Sequence, residues 1–257
     1  MSPAPIVLVH SNPDLVAHAC AARLVTRIAN SQAARGTASV VLTGGGIGTQ
    51  VLAALNSAPA RDAIDWRRLD VYWGDERFVP VGDGERNERQ AREALLDHVD
   101  VDPARVYPID ASDGPGGDDP EAAAKRYADL LASRSTPEDH GPVPRFDVLM
   151  LGIGPEGHTA SIFPDSPAAY DKGTVVAVRD CPKPPPTRIS LTFRSLQTAE
   201  DVWVIVTGES KAEAVARSLG GASPAQVPAA GAVGRTRTLW MIDEAAASQL
   251  PRSLRPR

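Results

Sequence analysis

The side chain with the most evident chemical potential is His158. It lies in Leu151-Gly152-Ile153-Gly154-Pro155-Glu156-Gly157-His158-Thr159-Ala160-Ser161-Ile162-Phe163-Pro164, directly after an apolar run that reads as a strand. An imidazole with an ordinary pKa of about 6.5 suits a general base at neutral pH. Glu156, two residues earlier, is spaced to hold the ring's tautomer, as the acid of a hydrolytic triad does. A second strand end, Val71-Tyr72-Trp73-Gly74-Asp75-Glu76-Arg77-Phe78-Val79-Pro80, releases two acids and an arginine before any helix begins. In the bland reading this is a solvated turn with a local salt bridge. In a cleft, Arg77 is a forked donor for phosphate or a developing oxyanion. There is no Gly-x-Ser-x-Gly elbow, and neither Cys20 nor Cys181 stands at a strand end next to a histidine. The base is therefore expected to act on water directly.

Three further segments could hold an anion. Thr43-Gly44-Gly45-Gly46-Ile47-Gly48 runs from a strand into a helix, where backbone N–H groups can cradle a phosphate. A tight strand-to-helix turn is the alternative. Arg188 opens a strand after the stiff run Pro184-Pro185-Pro186, and reads either as an anion ligand or as an exposed edge-strand charge. Lys211 sits in the first turn of a helix beginning near Glu209, where a cation opposes the helix dipole unless an anion lies beside it. The chain has only four lysines, Lys125, Lys172, Lys183 and Lys211, against twenty-three arginines, a bias that a GC-rich genome explains. The dinucleotide fingerprint is not met at Gly44 and Gly46, because Thr49 takes the third glycine's place. Gly152, Gly154 and Gly157 match it literally, but Pro164 leaves room for only about six helical residues, too few for the crossover helix of that motif.

These loops need a scaffold. Apolar runs at Ile6–Val9, Ser39–Leu42, Asp70–Trp73, Phe146–Leu151, Val175–Val178, Arg188–Thr192, Val202–Val206 and Thr238–Ile242 alternate with helical patterns. The helices are Asp14–Ala33, Thr49–Asn56, Glu88–Leu96, Pro120–Ala132 and Glu209–Leu219. The pattern predicts an α/β fold: a three-layer, mostly parallel, Rossmann-like sheet with helices on both faces. A single domain over 1–250 is expected, with an excursion at 111–144 between two polar Gly/Pro-rich loops and a flexible tail at 251–257.

Composition narrows the partners. With 257 residues, 42% apolar, 23% charged and a net charge of −5, the chain can bury a core and is neither disordered nor collagen-like. No run approaches the ~18 apolar residues of a membrane span, and Ile6–Val9 is too short for a signal peptide, so a cytoplasmic protein is the expectation. Cys20 and Cys181 read as reduced thiols. The five histidines (His10, His18, His98, His140, His158) are scattered, so no metal is expected. Mild acidity without a basic, aromatic-laced stripe argues against nucleic acid as a partner.

Taken together, these segments and Leu239-Trp240-Met241-Ile242-Asp243-Glu244-Ala245 resemble the glucosamine-6-phosphate isomerase/6-phosphogluconolactonase family, its lactonase branch most closely, almost end to end. The resemblance implies hydrolysis of 6-phospho-D-glucono-1,5-lactone to 6-phosphogluconate, in the pentose phosphate pathway, with no cofactor. It implies His158 as catalytic base, Arg77 as a substrate contact with Asp75 beside it, and Gly44, Gly45, Gly46, Arg188 and Lys211 around the phosphate. Two departures stand out: Glu156 replaces the usual aspartate, and Gly46-Ile47-Gly48 replaces a Ser-Thr-Pro type of loop. A monomer or weak homodimer is expected. The alternatives are a glucosamine-6-phosphate deaminase/isomerase, whose loop after the histidine usually ends Asn-Glu-Pro, and a non-catalytic sugar-phosphate binder.

Overall fold

The computed structural model describes residues 4–251 and 254. The rest of the tail read as flexible, residues 252, 253 and 255–257, lies outside them. Six strands form one sheet: β1 (Ile6–His10), β2 (Ala38–Leu42), β3 (Leu69–Trp73), β5 (Val148–Leu151), β8 (Asp201–Val206) and β9 (Arg237–Asp243). Their order is β1-β9-β8-β5-β2-β3, and every pairing is parallel. The central strands β5 and β8 are buried at every position, as a sheet covered on both faces requires. This is the α/β architecture that the alternation of apolar runs and helical patterns predicts.

The helices begin and end where local chemistry allows. In α1 (Pro13–Arg35), the Asn12 side chain accepts the Leu15 N–H at 2.9 Å, Pro13 occupies the first turn, and Gly36 closes the end in the left-handed region. Its buried stripe, Val16, Ala17, Cys20, Ala21, Leu24, Val25 and Ile28, keeps helical spacing against the sheet. The remaining helices are α2 (Gly45–Asn56), α3 (Asn87–Ala94), α4 (Pro120–Arg134), the single turn α5 (Phe193–Leu196) and α6 (Ala212–Leu219). Both cysteines are free and buried, and the Cys20 thiol lies 3.2 Å from the Met241 sulfur. No helix among the described residues is long and apolar enough to cross a membrane.

The structure departs from the sequence reading in one important respect. Val175–Val178 (β6) and Arg188–Leu191 (β7) do not join the parallel sheet. With β4 (Asp75–Arg77) they build a second, antiparallel sheet in the order β4-β7-β6. For the charged triplet Asp75-Glu76-Arg77 the sequence allows a solvated turn or a cleft segment, and the structure shows neither a turn nor a loop. The triplet is a strand because it pairs with β7, Asp75 opposite Ser190, Glu76 opposite Ile189 and Arg77 opposite Arg188. Within the 111–144 segment, α4 packs against β6 and β7.

Candidate active site

Parallel strands deliver all their carboxyl ends to one edge. After β2 the chain turns outward to β3, and after β5 it crosses to β8 on the other side. Between those two diverging connections lies the crevice where open α/β sheets bind ligands. The loops that leave β2 and β5 are the glycine run and the His158 segment. An open cleft of about 530 Å³, counted out to its mouth, is lined there by Thr43–Ile47, Asp75, Arg77, Asn87, Gly152, Ile153, His158, Ala160, Arg188 and Lys211.

The glycine wall is the start of α2. Its N-cap, Gly44, offers no side-chain cap and its first turn carries no acid; the N–H groups at Gly44, Gly45, Gly46 and Ile47 have no intrahelical acceptor. A side chain at Gly44 would overlap the Asn87 amide and the Arg77 guanidinium, so only glycine lets those two groups reach the loop.

No helix forms after the next glycines. Residues 153–162 are held as a compact turn by bridges from Thr159 to Ile153 and to Ile162. Gly157 adopts φ 90°, a backbone state that turns Glu156 and His158 toward each other. The Glu156 carboxylate lies 2.7 Å from His158 Nδ1, so the longer side chain makes the contact that an aspartate would be expected to make. The His158 ring stacks on Phe163 at 4.5 Å between centroids. With Nδ1 engaged, Nε2 is the ring's free acceptor. Burial lowers the His158 pKa while the Glu156 charge pulls it up, and the net shift is downward, which favours the neutral ring at pH 7. Burial works against the Glu156 charge too. Its own backbone N–H, Lys183 and His158 together hold its carboxyl below the usual range.

Lys183, whose ammonium donates to Glu156 at 3.0 Å, was not singled out as a site residue. Its one signal in the sequence was being one of four lysines in an arginine-rich chain. Asn87 and Ser161 were also missed. Asn87 lines the cleft and donates through Nδ2 to the Asp75 carbonyl at 2.8 Å. The Ser161 hydroxyl donates to the Asp75 carboxylate at 2.6 Å. Nothing in their local sequence distinguishes them from loop residues.

Positive charge gathers opposite the imidazole. Arg77 and Arg188 stand directly across the antiparallel β4–β7 ladder, where like charges repel. Arg188 is not the exposed edge charge that one reading allowed. It lies on the middle strand of the small sheet, is 6% exposed, and donates to the carbonyls of Lys183, Pro184 and Pro185. Lys211 ends a 3₁₀ turn at the start of α6, and burial, then the nearby Lys183 charge, lowers its pKa against the pull of Asp243. Neither Arg77, Arg188 nor Lys211 forms an ion pair with a carboxylate among the described residues. Three cations lining one cleft without an ion pair to its acid, Asp75, are an arrangement able to take an anion.

Comparison with known proteins agrees with this geometry. The family model for glucosamine-6-phosphate isomerases and 6-phosphogluconolactonases matches residues 11–240. A protein of Streptomyces coelicolor named 6-phosphogluconolactonase is 58% identical over 257 residues, covering 100% of this chain and 98% of its own. A Mycobacterium tuberculosis protein of the same name is 52% identical, with 93% and 95% covered. Among solved structures, the 6-phosphogluconolactonase of Trypanosoma brucei superposes with a TM-score of 0.81 at 30% identity, covering 98% of this chain and 100% of its own. The sheet order, the cleft at its switch point and these matches agree that the chain belongs to the glucosamine-6-phosphate isomerase/6-phosphogluconolactonase family.

Proposed function

We propose that the chain hydrolyses 6-phospho-D-glucono-1,5-lactone to 6-phosphogluconate, with His158 as the base that activates water. The observation that carries this reading is the Glu156-braced imidazole facing a cleft whose other walls are cations and free helix N–H groups. The names of the relatives at 58% and 52% identity support the substrate.

In this reading the Gly44–Gly46 loop, Arg188 and Lys211 take the phosphate, which fixes the far end of the lactone and brings C1 beside His158. Positioning of this kind removes a large entropic part of the barrier. Nε2 accepts a proton as water adds to C1, while Nδ1–H donates to Glu156, which stabilises the imidazolium that forms. The oxyanion on C1 is met by Arg77 or by backbone N–H groups. The tetrahedral intermediate then collapses with cleavage of the C1–O5 bond, and the ring oxygen takes up the proton from the imidazolium. Asp75, tied to Ser161 and to Asn87, braces the wall from which Arg77 projects.

Thr159–Pro164 follows the histidine here, not an Asn-Glu-Pro ending, which disfavours the amino-sugar deaminase reading. The deciding experiment is lactone hydrolysis followed against the spontaneous ring opening of the same substrate. Acceleration is expected. Binding of 6-phosphogluconate without acceleration would leave a sugar-phosphate sensor in place of an enzyme.

A further inference from the structure

Glu76 lies between two cleft residues but does not face the cleft. Strand alternation sends Asp75 and Arg77 to the cleft wall and Glu76 to the opposite side, where its side chain is 1% exposed. There its carboxylate accepts three backbone N–H groups. Oε1 takes those of Arg77 at 2.8 Å and Asn87 at 2.7 Å, and Oε2 takes that of Glu88 at 2.9 Å. Asn87 and Glu88 open α3, whose N-cap, Arg86, provides no side-chain acceptor. Glu76 therefore caps this helix from another element, satisfying N–H groups that a local cap would otherwise leave open. Arg86 is also 1% exposed and stands 3.8 Å from Glu76 Oε2, while donating to Glu88 at 3.0 Å and to the Ile109 carbonyl at 2.8 Å.

We infer that Glu76 is a positioning residue for substrate binding: one buried carboxylate ties the backbone of Arg77 to the start of α3 and so sets where Arg77 and Asn87 stand against the glycine loop. The link is closed on the cleft side by the Asn87 side chain, which donates to the Asp75 carbonyl and abuts Gly44. Three elements of the cleft, β4, α3 and the start of α2, thus share one anchor. Burial pushes the Glu76 carboxyl up to about 7 even with Arg86 and these donors around it. The role rests on the lactonase reading for the identity of its substrate and on geometry for everything else.

Glu76→Gln keeps the shape but puts an amide N–H against one of the three donors. Losing a hydrogen bond to a charged acceptor predicts that affinity for 6-phosphogluconate, read by calorimetry, and kcat/KM both fall by roughly 10- to 100-fold, with KM carrying most of the change. In an Arg77→Ala, Asn87→Ala background the same substitution should cost less than about threefold, because the residues it positions are already gone. Asp201→Asn, a buried carboxylate at the other edge of the sheet, serves as the control and should lower Tm with KM unchanged. Should Glu76→Gln fail to fold, Glu76→Asp keeps the charge at shorter reach and should fold with the KM rise intact but smaller. Parental KM and product affinity in the variant that folds would overturn the inference, as would an undiminished penalty in the Arg77, Asn87 double background. A parent that binds 6-phosphogluconate without hydrolysing the lactone overturns the lactonase reading alone, and the affinity comparison still decides the role of Glu76.

Discussion

The two edges of the parallel sheet use the same residue types in opposite ways. At the amino edge, the buried carboxylates of Asp147 and Asp201 and the half-buried one of Asp70 are closed by protein donors. Asp147 takes Arg35, Ser31 at 2.9 Å and the Ser39 N–H at 2.9 Å; Asp201 takes Arg237 and, at 3.4 Å, Arg27; Asp70 takes Arg105 at 2.8 Å and Tyr107 at 3.2 Å. At the carboxyl edge the acids are satisfied by a hydroxyl, an imidazole, the Lys183 ammonium and backbone N–H groups, and among the described residues Arg77, Arg188 and Lys211 form no ion pair. A charge matched inside the protein contributes to folding. A charge left unmatched at the mouth of a cleft costs the fold something and is available to a ligand. The contrast sets the ion-paired arginines of the amino edge apart from Arg77 and Arg188 in the cleft.

The sharpest way to break the comparison is at His158. His158→Ala should lower kcat by roughly 10²- to 10⁴-fold while affinity for 6-phosphogluconate barely changes, because a base acts in the transition state. Near-parental turnover in a steady-state assay would remove it from the mechanism. Asp201→Asn tests the other edge. It should cost about 2–4 kcal/mol of stability in a denaturant titration, less than a fully buried pair because Arg237 is partly exposed, and should leave kinetics intact. A kinetic defect there would erase the division between the edges.

Smaller effects sharpen it. Lys211→Ala should weaken 6-phosphogluconate binding by roughly tenfold yet leave stability equal or slightly higher, since among the described residues the lysine forms no ion pair and its charge is partly desolvated. A clear loss of Tm would mean that Lys211 is structural. The smallest change expected is in pH dependence. His158 acts as a base only when neutral, so kcat/KM should rise with pH through a pKa below the ordinary histidine value. Glu156→Gln removes the charge that pulls this pKa up, so the acid limb should move to still lower pH as turnover falls. A limb that moves to higher pH, or not at all, would contradict the pairing.

Much of this was legible in the chain. The alternation of apolar runs with helical stripes is a local property, and it located the six parallel strands to within a few residues. Gly44–Gly46, His158, Arg77, Arg188 and Lys211 stand out because their types are unusual at strand ends and starts, and the fold gathers them at one cleft, with Glu156 behind the imidazole. What could not be read was anything that depends on a partner distant in sequence. Asp75–Arg77 looks like a turn until β7 arrives from more than a hundred residues later to pair with it. Lys183 looks like a solvated loop lysine until the Pro-rich segment lays it on Glu156.

The sequence by itself determined which side chains have chemistry and which edge of the sheet they would reach, because residue type and strand direction are written locally. Only the tertiary structure decided which charges are answered. A buried carboxylate such as Glu76 is structural or functional according to whose N–H groups meet it, and those belong to Arg77, Asn87 and Glu88, brought together by a strand and a helix that no local pattern joins.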